Sequence, residues 1–334
     1  MLYFQFFFAK LFLLVACTLF VLAPALASQW HAQIENDATF AQDGNYTNAL
    51  ALGWESAPIT DLTLRQQKLP LWFHWQHAFL ISQRNSQNSY GIKLNQRMWT
   101  PNEIKITSPQ PYDRPYAGLL QLESHTSSYK SNYAQKNWFA IGVTGPASGA
   151  KQVQKYIHDW RDASKPKGWS YQIEQQLTVQ LAYEVDTLLY RQASIANTDW
   201  EISGYSHIEL GNFRSQADLG LMLRWGSNLA NTFGRLSSHY AQLGNITSQV
   251  DSSAIIAYTK VQRGYRFNDL SIEGDLPYQS YVKVQHQQAK VALGFIWSLS
   301  SFAIDWSFNG YTKDYTSDAK TWHGYGSLSL IWSM

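Results

Sequence analysis

Two short stretches carry side chains whose types and spacing could do chemistry together. The first runs from Glu35 to Trp54 and packs Asn36, Asp37, Asp43, Tyr46, Thr47 and Asn48 between two segments that alternate like strands. The second, from Ala150 to Asp162, places Val153, Tyr156, Ile157 and Trp160 at helical spacing, and on it Gln154 and His158 stand four apart, hence on one face. Histidine titrates near neutrality and can take a proton from water. A stretch rich in Asn, Asp and Thr oxygens suits a hard cation, and ester hydrolysis needs both a base and positive charge where the oxyanion develops. Taken alone, the first stretch reads equally well as a polar hairpin loop, because Asn, Asp and Gly tolerate turn geometry. Other catalytic signatures are missing: there is no Gly-x-Ser-x-Gly elbow, no phosphate-cradling glycine loop and no His-Glu-x-x-His.

The elements that must position these residues are strands. Residues 1–27 read as a secretory signal, with Lys10, an apolar run from Leu11 to Leu26 and a small-residue cleavage site, Ala25-Leu26-Ala27, before Ser28. Leu14-Val15-Ala16-Cys17 resembles a lipoprotein box, but the residues after Cys17 stay apolar through Leu26, which argues against that processing. The only cysteine lies inside this signal, so the mature chain has no disulfide, thiol nucleophile or thiolate metal site. The formal net charge of +2 disfavours nucleic acid as a partner. No apolar run of helix-spanning length follows the signal, and an exported chain of this kind can still cross a membrane as a closed β-barrel.

Periodicity supports the barrel. Segments of about ten residues alternate in character, as expected when one face meets lipid and the other a polar lumen. The candidates are Trp30 to Asp37, Ala49 to Trp54, Leu71 to Leu80, Tyr90 to Met98, Tyr116 to His125, Asn137 to Thr144, Gln172 to Tyr190, Trp200 to Gly211, Ala217 to Trp225, Ala254 to Phe267, Ala289 to Ser298, Phe302 to Tyr311 and Tyr325 to Met334. That makes thirteen, whereas a single-chain bacterial barrel has an even count, so one is misread or one is missing. The 14 Trp and 20 Tyr fit two interfacial girdles, with Trp72-Phe73-His74-Trp75 as one such cluster. A secreted β-sandwich would also alternate, but its strands are typically only about 5–6 residues long. The helical stretch, preceded by Gly145-Pro146-Ala147-Ser148-Gly149 with Ser148 as a candidate cap, must lie in a loop or plug and end before Pro166. Asp113-Arg114 reads as a buried ion pair or a turn.

As a set, these residues resemble the outer-membrane lipid A 3′-O-deacylase family. The likeness rests on Glu35-Asn36-Asp37, Asp43 with Tyr46-Thr47-Asn48, Asp113-Arg114-Pro115-Tyr116-Ala117-Gly118, Gly142-Val143-Thr144-Gly145-Pro146, Gln154, His158 and Gly168-Trp169 with Gln172, in that order. It implies an all-β, closed antiparallel twelve-stranded transmembrane barrel of about residues 28–334, with a short helix in an extracellular loop. It also implies an ester hydrolase acting on lipid A, or lipopolysaccharide, in the outer leaflet, working as a monomer. By that likeness His158 is the general base, Asn36, Asp37, Thr47 and Gln154 complete the catalytic set, and a calcium ion near Asp37 polarises the ester carbonyl. The sequence departs from the family at the acidic residue expected shortly after the histidine. Asp159, Asp162 and Ser164 follow, with no Glu until Glu174; Asp162 reads as a solvated helix residue that could still meet His158 one turn away.

Two other classes remain open. A barrel phospholipase would use a serine nucleophile, and no Ser pairs obviously with His158; a channel or degenerate barrel would keep the scaffold without the chemistry. Topology supplies a test within the chain. Asn36-Asp37 closes the first strand and faces outward, so His158 meets it only if the helix follows an odd-numbered strand. Six candidates precede that helix, and Leu71 to Met98 is where a crossing should be removed or added.

Overall fold

Twelve antiparallel strands close on themselves in the computed structural model, which describes residues 28–37, 44–59, 71–81, 85–161, 164–237 and 253–333. They are β1 (Gln29–Asn36), β2 (Asn45–Glu55), β3 (Gln87–Thr100), β4 (Ala117–Tyr129), β5 (Tyr133–Thr144), β6 (Leu177–Ala193), β7 (Asp199–Gly211), β8 (Arg214–Gly226), β9 (Ala254–Asp269), β10 (Gln287–Ser298), β11 (Phe302–Thr312) and β12 (Trp322–Ser333). Each strand pairs with its neighbour in sequence, and β1 pairs with β12 from Gln29↔Ser333 to Asn36↔Gly326, which removes every free edge. Among the described residues no helix is long and apolar enough to cross a membrane. The expected signal, Asp43, Asp162 and Met334 lie outside the described residues.

Because side chains alternate across a strand, one face of each strand turns into the lumen and the other outward. Along β3 the buried Lys93, Asn95 and Arg97 alternate with half-buried Ile92, Leu94 and Gln96. The lumen is filled with paired charge: Lys93 with Glu123 at 2.8 Å, and Lys136 with Glu184 at 2.7 Å and Asp186 at 2.9 Å. At the terminal end, where β1 begins and β12 finishes, residues 227–237 fold into the lumen. There Lys136 Nζ donates to the Gly234 carbonyl, Arg224 donates to that of Thr232, and Phe233 packs on Tyr129. At the opposite, loop end, Tyr46, Trp99, Leu119, Ile173, Phe213 and Tyr311 close the interior.

The count of thirteen is corrected by one segment. Leu71–His77 is a helix, α1, in the connection between β2 and β3. A short apolar run does not distinguish a strand from a buried helix turn, and Pro70 just ahead of it is a helix-start signal that favours the latter. The Trp72-Phe73-His74-Trp75 cluster therefore belongs to a helix rather than to a spanning strand. Phe73 packs on Ile59, Tyr90 and Ile92 of the outer wall, so α1 lies against the outside of the barrel near the terminal end. Gln76 exchanges hydrogen bonds with Ser124, to its carbonyl and from its hydroxyl, and its own carbonyl accepts from Asn137 Nδ2, all at 2.8 Å. These outward polar groups would find no partner in hydrocarbon, and α1 supplies one. With this segment removed, five crossings precede the helix that carries His158, as the topology test requires.

Candidate active site

The register of the first four strands lays one row of residues side by side. Asn36 of β1 pairs with Asn48 of β2, Asn48 with Met98 of β3, and Met98 with Gly118 of β4. Cross-strand partners share a face, so this row points to one side of the sheet. That side is the outer wall: Ile34 and Leu50, one step along on the same face, are exposed, whereas the intervening Glu35, Ala49 and Arg97 are buried towards the lumen.

The helix carrying Gln154 and His158, α2 (Ala150–Arg161), is seated on the far end of that row. Ala150, Val153 and Trp169 pack against Met98 and Tyr116. Glycine at 118 is a condition of this contact, because a Cβ there would stand 2.2 Å from Ser148 Oγ and 2.5 Å from Ala150 Cβ. The chain enters α2 through a 3₁₀ turn, Gly145–Ser148, and a left-handed Gly149 at φ 71°. The cap position falls on Gly149 rather than on the expected Ser148, which stands one residue earlier, its hydroxyl accepting from the Ala150 amide at 3.4 Å and donating to the Gly145 carbonyl. Gln96 Nε2 fastens the turn to the wall by donating to the Ser148 carbonyl at 2.5 Å.

The expected residues fall into two groups, one on the β1–β2 hairpin and one on α2. In the β1–β2 hairpin, Asn36 Nδ2 donates to the Thr47 carbonyl at 3.3 Å, and the Asp37 carboxylate accepts from the Gly44 amide at 2.9 Å, closing the turn. A bulge between Tyr46 and Asn48 takes Thr47 out of the ladder, and its hydroxyl shares a 2.8 Å hydrogen bond with Thr100 Oγ1. On α2, Gln154 and His158 are both buried while Tyr156 is 75% exposed, which fixes the helix face turned to the wall. Gln154 Oε1 accepts from Trp169 Nε1 at 2.7 Å, and Gln154 Nε2 is buried without a partner. Gln154 and His158 thus turn towards the outer-wall side on which Asn36 and Asn48 lie, where α2 packs on Met98 and Tyr116. A cavity inside the barrel is lined by Glu35, Tyr46, Trp99, Lys260 and Asp305 among others and by none of the five expected residues.

His158 Nδ1 lies 2.6 Å from the Ser164 carbonyl. A carbonyl only accepts, so Nδ1 carries a proton, and in the neutral imidazole the lone pair is then on Nε2. A backbone oxygen therefore orients the imidazole. Asp159 does not fill that role: it pairs with Lys165 at 2.9 Å, and this hydrogen bond lowers its carboxyl below the ordinary range.

The Asp113–Gly118 run works as scaffold. Asp113 and Arg114 do not pair side chain to side chain. Asp113 accepts from the Asn102 amide, the Arg114 amide and the Tyr315 hydroxyl, while the buried Arg114 reaches Asp314 at 3.1 Å and Ser271 at 3.3 Å. Tyr116 packs against Trp169, the residue that holds Gln154, with ring centroids 4.9 Å apart and the planes tilted by 52°. Sequence reasoning gave no site role to Asn48, Met98, Thr100 or the Ser164 carbonyl. Only Asn48 had a signal, its place in the Tyr-Thr-Asn run; the others depend on register and backbone position.

Residues 11–334 match the family model described as "Outer membrane protein LpxR". The chain belongs to this family. Among solved structures, LpxR from Salmonella typhimurium is similar at a TM-score of 0.73 and 16% identity, over 92% of this chain and 100% of that one, which shows a shared fold. The β domain of the Bordetella autotransporter BrkA follows at a TM-score of 0.43 and 8% identity, over 92% and 98% of the two chains. The translocator domain of the autotransporter NalP from Neisseria meningitidis stands at 0.38 and 10%, over 92% and 87%. No curated protein sequence matches. Membership in the LpxR family makes this an outer-membrane barrel, so the terminal end is periplasmic and the loop end, with α2, is extracellular.

Proposed function

We propose that the protein is a lipid A deacylase that hydrolyses an ester-linked acyl chain, the 3′-acyloxyacyl chain by the family likeness, on the lipid-facing side of the barrel wall. The observation that carries this reading is the position and tautomer of His158: its Nδ1 is fixed on the Ser164 carbonyl, on a helix seated against the outward row of Asn36, Asn48 and Met98. A lipid of the outer leaflet reaches this side of the wall without leaving the membrane.

Nε2 takes a proton from water as the oxygen attacks the ester carbonyl carbon. When the tetrahedral species collapses, the ester C–O bond breaks, the imidazolium returns that proton to the departing alkoxide, and a free carboxylic acid is released. Gln154, held through its oxygen by Trp169, keeps its amide nitrogen unpaired. Asn36 and Thr47 fix the β1–β2 hairpin.

A calcium ion fits the donors available. Around the hairpin these are the Asp37 carboxylate and the Asn36, Thr47 and Asn48 oxygens, all hard ligands, and Asn48 Oδ1 is buried without a partner. Among the described residues no group of three or more His, Asp or Glu side chains gathers to hold a metal, so Asp37 is the charged ligand in this set. When bound, the ion supplies positive charge to the oxyanion.

Mass spectra of lipid A and phospholipids incubated with the purified protein test this reading. Loss of one acyl chain from lipid A, abolished by chelation and restored by calcium, is expected, and Asp37→Asn should raise the calcium needed for half-maximal rate. Unchanged lipid A with hydrolysed glycerophospholipid would assign the barrel to phospholipase chemistry. Unchanged spectra for both lipids would leave a non-catalytic barrel.

A further inference from the structure

Asn48 is 3% exposed, and neither its amide oxygen nor its amide nitrogen has a hydrogen-bond partner. Buried amides in native proteins are satisfied almost without exception, because an unpaired one forfeits its hydration for nothing. The position makes the exception informative. Asn48 lies between half-buried Asn36, where the row opens towards lipid, and buried Met98, where α2 closes it. A second orphan, Gln154 Nε2, lies on α2 and is aligned by the bond from Trp169, which packs with Met98, to its own oxygen. One unpaired amide nitrogen thus belongs to the outer-wall row and the other to the buried face of the helix that packs on that row, the face that also carries His158.

We propose that Asn48 contacts the substrate, its Nδ2 donating to the ester carbonyl oxygen together with Gln154 Nε2, so that both orphans are satisfied when the acyl ester is in place. Neutral amide donors suit an ester better than a phosphate or carboxylate, which would call for Arg or Lys. They also strengthen as the carbonyl oxygen gains charge, which places their effect on rate more than on binding. This inference rests on the deacylase reading.

Two variants test it against wild type in one lipid A assay with mass-spectrometric readout. Asn48→Leu removes both polar atoms at similar volume, and Asn48→Asp keeps the shape and an oxygen ligand but loses the donor. Both should lower kcat by about 10²-fold with KM changed only a few-fold, the size found when one oxyanion donor is deleted. The heat-modifiability midpoint of Asn48→Leu should be unchanged or higher, since an unsatisfied polar group has been removed. An Asn48→Asp enzyme at wild-type kcat, with or without a tighter calcium dependence, overturns the assignment, because the oxygen alone, as a cation ligand, would then account for the residue. Activity lost only in step with a fall in that midpoint overturns it in favour of a structural role. A wild type that releases no acyl chain overturns the deacylase reading and this inference with it, whereas an active wild type with unaffected variants overturns this inference alone.

Discussion

Replacing His158 is the perturbation with the most separable outcomes, because its two nitrogens have different work. Nδ1 donates to the Ser164 carbonyl at 2.6 Å, a link between α2 and the segment after it that is worth on the order of 1 kcal/mol net. Nε2 is the base in the proposed reaction, and general-base catalysis contributes typically 10²–10⁴-fold, or about 2.7–5.4 kcal/mol at 1.36 kcal/mol per decade. His158→Asn can keep a donor near the Nδ1 position while removing the base; His158→Ala removes both. The two variants should therefore share a rate loss of 10²-fold or more and differ only in the order of the 160s segment. Release of acyl chain from lipid A measures the first effect. Limited proteolysis after α2 measures the second, with His158→Ala cut sooner. The barrel should fold in both cases, since His158 is on a loop helix outside the strand ladder. A His158→Ala protein within threefold of the wild-type rate would refute the base assignment. Rescue of Asn but not Ala would mean that the histidine matters for its hydrogen bond alone.

Other outcomes follow from contacts on the same wall. Gly118→Ala drives a methyl into Ser148 Oγ and Ala150 Cβ, so the 3₁₀ turn and α2 must shift at a cost of roughly 1–3 kcal/mol; deacylation should drop while the heat-modified gel shift of the barrel persists. At the extracellular end, burial alone would raise the Asp314 carboxyl, but Arg266, Arg114 and Arg214 outweigh it and hold it well below the ordinary carboxylate range. The stability this carboxylate contributes is present above the unfolded pKa, near 4, and is lost as pH falls through the depressed folded value. Protease resistance of the β3–β4 and β11–β12 loops should thus survive mild acid and fail only in strong acid, whereas Asp314→Asn should loosen them at neutral pH by leaving buried Arg114 short of its partner.

The chain by itself determined the class of the molecule and the chemistry of its candidate site. Period-two alternation in long segments marks strands with two different faces, and twelve of the thirteen segments read that way are strands. The four-residue spacing of Gln154 and His158 put them on one helical face before any packing was known, and both are buried there. Local patterns fix these features, so a linear reading recovers them. The thirteenth segment failed because Leu71–His77 takes its conformation from what it covers: Ser124, Asn137 and the Tyr90–Ile92 wall, each distant in sequence. The same limit hid the shape of the site. Only the β1–β4 register aligns Asn36, Asn48, Met98 and Gly118, and only the missing Cβ at Gly118 lets α2 lie down on that row. The Ser164 carbonyl that orients His158 has no side-chain signature at all. Residue type decides what chemistry is available; the closure of the sheet decides which face of the wall it is aimed from, because a shift of one residue in register would turn every member of the row into the lumen.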